Sequence, residues 1–146
     1  MSYVYDDGGR AAAGYKGEAE DCVARAIAIA GCLDYRVVYD RINRIAKDER
    51  TVRGRIGFLS ATGRGSSART GIFKPTTRAI IFDLLDWAWT PTMRIGSGCT
   101  VHLRAEELPT GRLIVSVSRH VVAVIDGVIH DTHDPSRDGT RCVYGY

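Results

Sequence analysis

The dipeptide Asp126-Gly127 separates two runs of β-branched residues and predicts a β-hairpin of defined register. Asp-Gly is a preferred pair for a two-residue turn, because both turn positions take a positive φ angle. A turn of this length pairs Ile125 with Val128, and that pair fixes every other pair along the two strands. The register can therefore be predicted before anything else in the fold is known.

This register brings an imidazole and a carboxylate together. His120 and Asp131 fall on the same face of the two strands and lie diagonal to each other, within reach of their side chains. His130 falls on the opposite face. A slip of one residue would separate the pair, so their proximity depends on the register.

The rest of the chain predicts an α+β fold with helices first and an antiparallel sheet second. Helices are expected over 21–30, 33–45 and 76–87, the last with Pro75 in its first turn. A short strand is expected from Trp87 toward Met93. Strands are expected over 112–118, 120–125, 128–132 and 142–146. The N-terminal helices should pack on this C-terminal sheet.

Length and composition favour a single domain over residues 1–146. Residues 1–20 are predicted to be an extended lead-in, and residues 48–73, rich in Gly and Arg, a flexible basic loop. The N-terminus lacks the apolar core of a signal peptide, and no apolar run is long enough to cross a bilayer. We therefore expect a cytoplasmic protein without a membrane partner.

The four cysteines are widely spaced, with no CxxC pair. A chain of this length does not need disulfide staples, so all four are expected to be reduced thiols. Cys32, Cys99 and Cys142 are predicted to be structural. Cys22 differs because it follows Asp21, a good N-cap residue, at the start of an apolar helix.

Free N–H groups and the helix dipole at such a position favour a thiolate, the nucleophilic form of cysteine. If the helix packs against the hairpin, Cys22 would attack a carbonyl, His120 would relay the proton and Asp131 would orient His120. Asp134 is the substitute for Asp131. The backbone N–H of Cys22 would face the developing oxyanion.

The segments DCVARAIAIA (21–30) and HVVAVIDGVIHDT (120–132) resemble those of papain-like cysteine peptidases, in particular small bacterial and phage members similar to bacteriocin-leader peptidases. The resemblance implies a helical part, an antiparallel sheet and a cleft between them. It also implies a cysteine peptidase or amidase with a Cys-His-Asp triad, cleaving or transferring at an amide bond of a peptide or protein. No cofactor is expected.

The chain departs from this family in one respect. Papain-like enzymes usually place a glutamine a few residues before the cysteine to complete the oxyanion hole, and this chain contains no glutamine. Lys16 or Tyr15 could donate the missing hydrogen bond.

An alternative function is therefore a catalytically silent binding or inhibitor protein on the same fold, possibly encoded by a phage. Residues 36–78 carry eleven Lys or Arg against three Asp or Glu. This basic block could engage an acidic protein or a nucleic acid, with Arg53, Arg55 and Arg64 as the expected contacts.

A metal site is a further alternative. In the predicted register His120, Asp131 and His133 share one face, and these residue types bind zinc. Because His130 points away and leaves only these three ligands on one face, we expect no metal.

Overall fold

The computed structural model describes residues 1–55 and 66–146. In this part of the chain the helices are α1 (Cys22–Gly31), α2 (Tyr35–Arg55) and α3 (Lys74–Leu85), with a short 3-10 helix at Ala105–Glu107. The strands are β1 (Ser2–Tyr5), β2 (Arg112–Val117), β3 (His120–Ile125), β4 (Val128–Asp131) and β5 (Val143–Gly145). The fold is α+β, as the sequence predicts.

The strands form one sheet in the order β1-β4-β3-β2-β5. Most neighbours are antiparallel, but β1 runs parallel to β4, with Tyr5 opposite Asp131. The sheet is therefore mixed: the C-terminal strands β2 to β5 are antiparallel as predicted, and β1, from the segment predicted to be an extended lead-in, adds a parallel edge strand that was not predicted. All four residues of β1 are exposed, so the strand carries no buried face that its sequence could reveal.

The predicted hairpin register is confirmed. Ile125 pairs with Val128, Val124 with Ile129, and Ala123 with His130. The turn residues Asp126 and Gly127 have φ angles of 47° and 78°, as a two-residue turn of this kind requires.

Helix α1 packs on one face of the sheet and is buried along most of its length. Ile27 of α1 lies in a core with Ile114 of β2, Ala123 of β3 and Ile80 of α3. A second core, on the alternate strand positions, is built around Val115, Val122 and Ile129, with Leu103 from the segment before β2. The sheet is thus covered on both sides, and α1 is held firmly against β3.

Two helix and strand predictions need correction. Helix α2 continues to Arg55, beyond the predicted end at Ile45, so the first part of the predicted 48–73 loop is helical. Residues 87–93 form no strand, although Thr90 exchanges backbone hydrogen bonds with Tyr146 next to β5. None of the helices in the described residues has the length and hydropathy to cross a membrane.

The prediction that all four cysteines are reduced is wrong for two of them. Cys99 and Cys142 form a disulfide, with their Cα atoms 5.7 Å apart, while Cys22 and Cys32 are free. The two bonded residues are 43 positions apart in the sequence, so spacing gave no sign of the contact. Backbone hydrogen bonds align their segments, since Val143 N–H donates to the Val101 carbonyl at 2.8 Å.

Candidate active site

Cys22 is the first residue of α1 and is only partly buried. The first N–H groups of a helix have no partner within the helix, and the dipole adds partial positive charge there. Cys22 therefore lies at a helix start, as the sequence predicts.

The β3–β4 hairpin carries the other two residues of the site, His120 and Asp131. The His120 Nε2 atom lies 2.5 Å from Asp131 Oδ2, although eleven residues separate them along the chain. The side chains are 11% and 3% exposed, so the bond is shielded from water. The predicted contact between this imidazole and this carboxylate is present in the structure.

Cys22 and His120 line the same cleft, and Cys22 is close enough to influence the pKa of His120. Burial works against the charged imidazolium, but Asp131 and Cys22 outweigh it and raise the pKa of His120 to about 9. The ring therefore carries a proton at neutral pH.

Asp131 is held in its ionised form. Burial acts to raise the pKa of its carboxyl group, but the bond to His120, the Thr132 N–H at 2.7 Å and the charge of Arg25 together lower it. A carboxylate in this state can orient the imidazole and balance its charge.

Arg25, within α1, contacts Asp131, and Asp21, just before the helix, contacts Arg25; this arrangement was not predicted. The Arg25 guanidinium, 7% exposed, donates to Asp21 and, at 3.2 Å, to Asp131 Oδ1. The sequence signal that could have indicated this contact is the single arginine in an otherwise apolar helix, because a buried charge needs a partner of opposite charge.

Asp21 precedes α1, as predicted, but it makes no side-chain capping bond to the helix. The expectation that it caps the helix is wrong. Its buried carboxylate instead accepts from Tyr35 Oη at 2.5 Å and pairs with Arg25 and with Arg10 Nε, the latter at 3.1 Å. Three donors from three segments therefore occupy the capping oxygens.

A cleft of about 700 Å³ opens onto Cys22 and His120. One wall comes from the residues before α1 and from residues 71–77, and the other from the β2–β3 turn and the chain after β4. Its charged lining residues include Glu20, Lys74 and Arg119, all with exposed side chains. A cleft of this size can hold several residues of an extended peptide.

Tyr15 and Lys16 do not line this cleft. The Tyr15 ring packs against Tyr35 and Tyr39, with ring centroids 5.2 and 4.6 Å away, and Lys16 is exposed. The structure therefore does not bring the two suggested oxyanion donors to Cys22. Asp134, the substitute for Asp131, accepts the Ser136 N–H within its own turn.

The three arginines of the alternative function cannot be placed. Arg64 lies outside the described residues, as do the side chains of Arg53 and Arg55.

The ligand atoms of His120, Asp131 and His133 all lie within 4.8 Å of one another, so the geometry considered for a metal is present. His130 is directed elsewhere, with its Nδ1 atom 3.2 Å from Asp6. A protonated imidazole has no lone pair for a metal, and the raised pKa of His120 favours that form. A metal at this site would therefore have to displace a proton from the His120 ring.

Comparison with family models, with curated proteins and with solved structures finds no match to this chain. The papain-like resemblance therefore stays a prediction that rests on the residues of α1 and of the β3–β4 hairpin.

Proposed function

We propose that this chain is a papain-like thiol hydrolase that cleaves or transfers at an amide bond of a peptide or protein substrate. The observation that carries the proposal is that Cys22 and His120 line one cleft and that His120 is bonded to the buried Asp131 behind it. The order of contacts is that of a nucleophile, a base and an orienting group.

The first half of the reaction forms an acyl-enzyme. The Cys22 thiolate adds to the amide carbonyl carbon, and the carbonyl electron pair moves to oxygen. His120, protonated near neutral pH, then donates its proton to the leaving nitrogen as the C–N bond breaks. A thioester between Cys22 and the acyl group results, together with a free amine.

The second half releases the acyl group. Neutral His120 takes a proton from water, or from an acceptor amine, as its oxygen or nitrogen adds to the thioester carbonyl. The C–S bond then breaks, and the thiolate and the imidazolium are restored. The backbone N–H of Cys22 is the donor for the oxyanion in both halves, because it lies at the helix start.

Replacing the nucleophile tests the proposal. Purified protein is incubated with a peptide library from a digested proteome, and new termini are identified by mass spectrometry. We expect cleavage by the wild type, loss of at least about a thousandfold in Cys22→Ala, and no change in Cys32→Ala, the matched variant of the other free thiol. Cleavage that persists in Cys22→Ala, or none by the wild type, would contradict the proposal.

A binding or inhibitor protein is the second candidate, and the absence of glutamine from the whole chain favours it. Under this function Cys22→Ala has no effect. Charge reversal at Arg53, Arg55 and Arg64 would instead abolish binding to an acidic protein or nucleic acid, and salt would weaken that binding steeply.

A cytoplasmic location is part of the first proposal, and the Cys99–Cys142 disulfide bears on it, because such bonds persist mainly in oxidising compartments. Thiol labelling of the protein in intact cells, before and after reduction, would show whether the bond forms where the protein works.

A further inference from the structure

We propose that Arg25 is a positioning residue that fixes the Asp131 carboxylate against His120 and thereby maintains the charged pair of His120 with Cys22. This inference rests on the proposed function for its purpose, but its test needs no turnover.

Arg25 lies in the first turn of α1, three residues after Cys22, and is almost fully buried. Its two terminal nitrogens contact different carboxylates, Asp21 before the helix and Asp131 at the end of β4. Its Nε atom has no hydrogen-bond partner among the described residues. The guanidinium therefore acts as a fork between two buried anions and makes no other polar contact there.

The two oxygens of Asp131 have separate partners. Oδ1 accepts from Arg25 at 3.2 Å and from the Thr132 N–H at 2.7 Å, and Oδ2 is 2.5 Å from His120 Nε2. Because Oδ1 is held from two sides, rotation of the carboxylate is restricted. Oδ2 is then left to face the imidazole, and a triad requires one carboxylate oxygen in that place.

The charges of the site also connect Arg25 to Cys22. The groups linked by these contacts are Arg10, Arg25 and His120 against Asp21, Asp131 and Cys22. Glu20, Lys74, Arg119 and His133 line the same cleft. Because Arg10 and Arg25 balance Asp21 and Asp131, a proton can pass from the sulfur to the imidazole without changing the net charge of the linked set. Removal of the Arg25 charge would leave two buried carboxylates short of a cation.

Substitution of Arg25 by lysine distinguishes the effect of its side-chain geometry from the effect of its positive charge. Arg25→Lys keeps a cation at this position, but a single ammonium group cannot present the planar fork that reaches both carboxylates. Arg112→Lys is the matched control. The Arg112 guanidinium also donates two hydrogen bonds to α1, to the carbonyls of Ala30 and Ile29 at 2.6 Å each, and it does not contact the triad.

The test is the rate of Cys22 alkylation by iodoacetamide as a function of pH. All variants carry Cys32→Ser, so that Cys22 is the one cysteine outside the disulfide. We expect a fast rate near neutral pH in the parent, a fall of about tenfold in Arg25→Lys with recovery at alkaline pH, and the parent profile in Arg112→Lys. A parent profile in Arg25→Lys, or an equal loss in Arg112→Lys, would overturn the inference.

A second pair of variants covers the case in which Arg25→Lys does not fold. Arg25→Met combined with Asp21→Asn removes one cation and one anion together, so the buried charges stay balanced. We expect this double variant to lose alkylation at neutral pH, whereas Asp21→Asn alone, which keeps Arg25 beside Asp131, retains most of it. Equal rates in the two would overturn the inference.

A double-mutant cycle shows through which residue Arg25 acts. If Arg25 acts through Asp131, Arg25→Lys has no further effect on the alkylation rate in an Asp131→Asn background, and a fully additive loss would contradict this.

The alkylation and hydrolysis experiments test the two proposals separately. If the protein hydrolyses no peptide but its alkylation profile depends on Arg25, only the proposed function is contradicted. If it hydrolyses peptides but the alkylation profile does not depend on Arg25, only this inference is contradicted.

Discussion

Arg25 and Asp131 lie 106 residues apart in the sequence and meet in an ion pair of 3.2 Å inside the protein. The first belongs to the helix that begins with Cys22, and the second closes the hairpin strand that follows His120. The pair therefore joins the two halves of the candidate site. One consequence of the charged groups around this pair is that the stability of the fold depends on pH.

The pKa of His120 is raised to about 9 in the folded protein, from an ordinary value near 6.5. A raised pKa stabilises the fold fully below the unfolded value, and this stabilisation is lost as the pH rises through the folded value. We expect His120→Gln to lower the free energy of unfolding by up to about 3 kcal/mol near pH 6 and by much less near pH 10. Urea unfolding at both pH values measures this.

A deficit in His120→Gln that is equally large at both pH values would contradict the prediction.

Tyr35→Phe tests the support beneath Asp21. The Tyr35 hydroxyl is buried and lies 2.5 Å from Asp21 Oδ2, so its loss leaves a buried carboxylate short of one donor. We expect a loss of about 1–3 kcal/mol in the free energy of unfolding. Tyr39→Phe, in the same aromatic cluster but without such a contact to Asp21, should cost much less. Similar losses in both variants would assign the effect to ring packing.

Gly127→Ala tests the turn that sets the hairpin register. The φ angle of 78° disfavours a side chain, and an added Cβ would lie 3.1 Å from the Ala105 Cβ. We expect a loss of more than about 1 kcal/mol. Gly96→Ala has a similar φ of 81° with open space around the new Cβ, so it measures the backbone cost alone. Thermal unfolding of both should show the larger loss at Gly127, and the reverse order would contradict the contact argument.

The Cys99–Cys142 disulfide closes a long loop and should stabilise the fold mainly by restricting the unfolded chain. Replacing both residues with serine is expected to cost about 2–4 kcal/mol. Cys32→Ser, at an exposed free thiol, should cost little. Denaturant unfolding with and without reductant provides the measurement: reductant should lower the wild-type midpoint and leave the double variant unchanged.

The parts of this fold that follow from local rules could be predicted from the sequence. The Asp126-Gly127 turn fixes its own register, and the register alone placed His120 beside Asp131. Cys22 was predictable at a helix start because an apolar helical run begins there. Each of these conclusions needed only residues close together in the chain.

The parts that depend on distant partners could not be predicted. Strand β1 pairs through its backbone and buries no face, so its four residues give no pattern. The disulfide and the contact between Arg25 and Asp131 each join two segments far apart in the chain, and no local sequence pattern indicates that these segments meet. Asp21 shows the limit most clearly, because its position favours a helix cap, whereas Arg10, Tyr35 and the nearby Arg25 give it another role.

The fork of Arg25 between Asp21 and Asp131 also has an evolutionary consequence. A buried cation held by two carboxylates cannot be lost alone, and neither carboxylate can easily be lost while it remains. Natural relatives of this chain should therefore change positions 21, 25 and 131 together or keep all three. An alignment of such relatives should show covariation between position 25 and positions 21 and 131. We expect this covariation even among relatives that have lost Cys22.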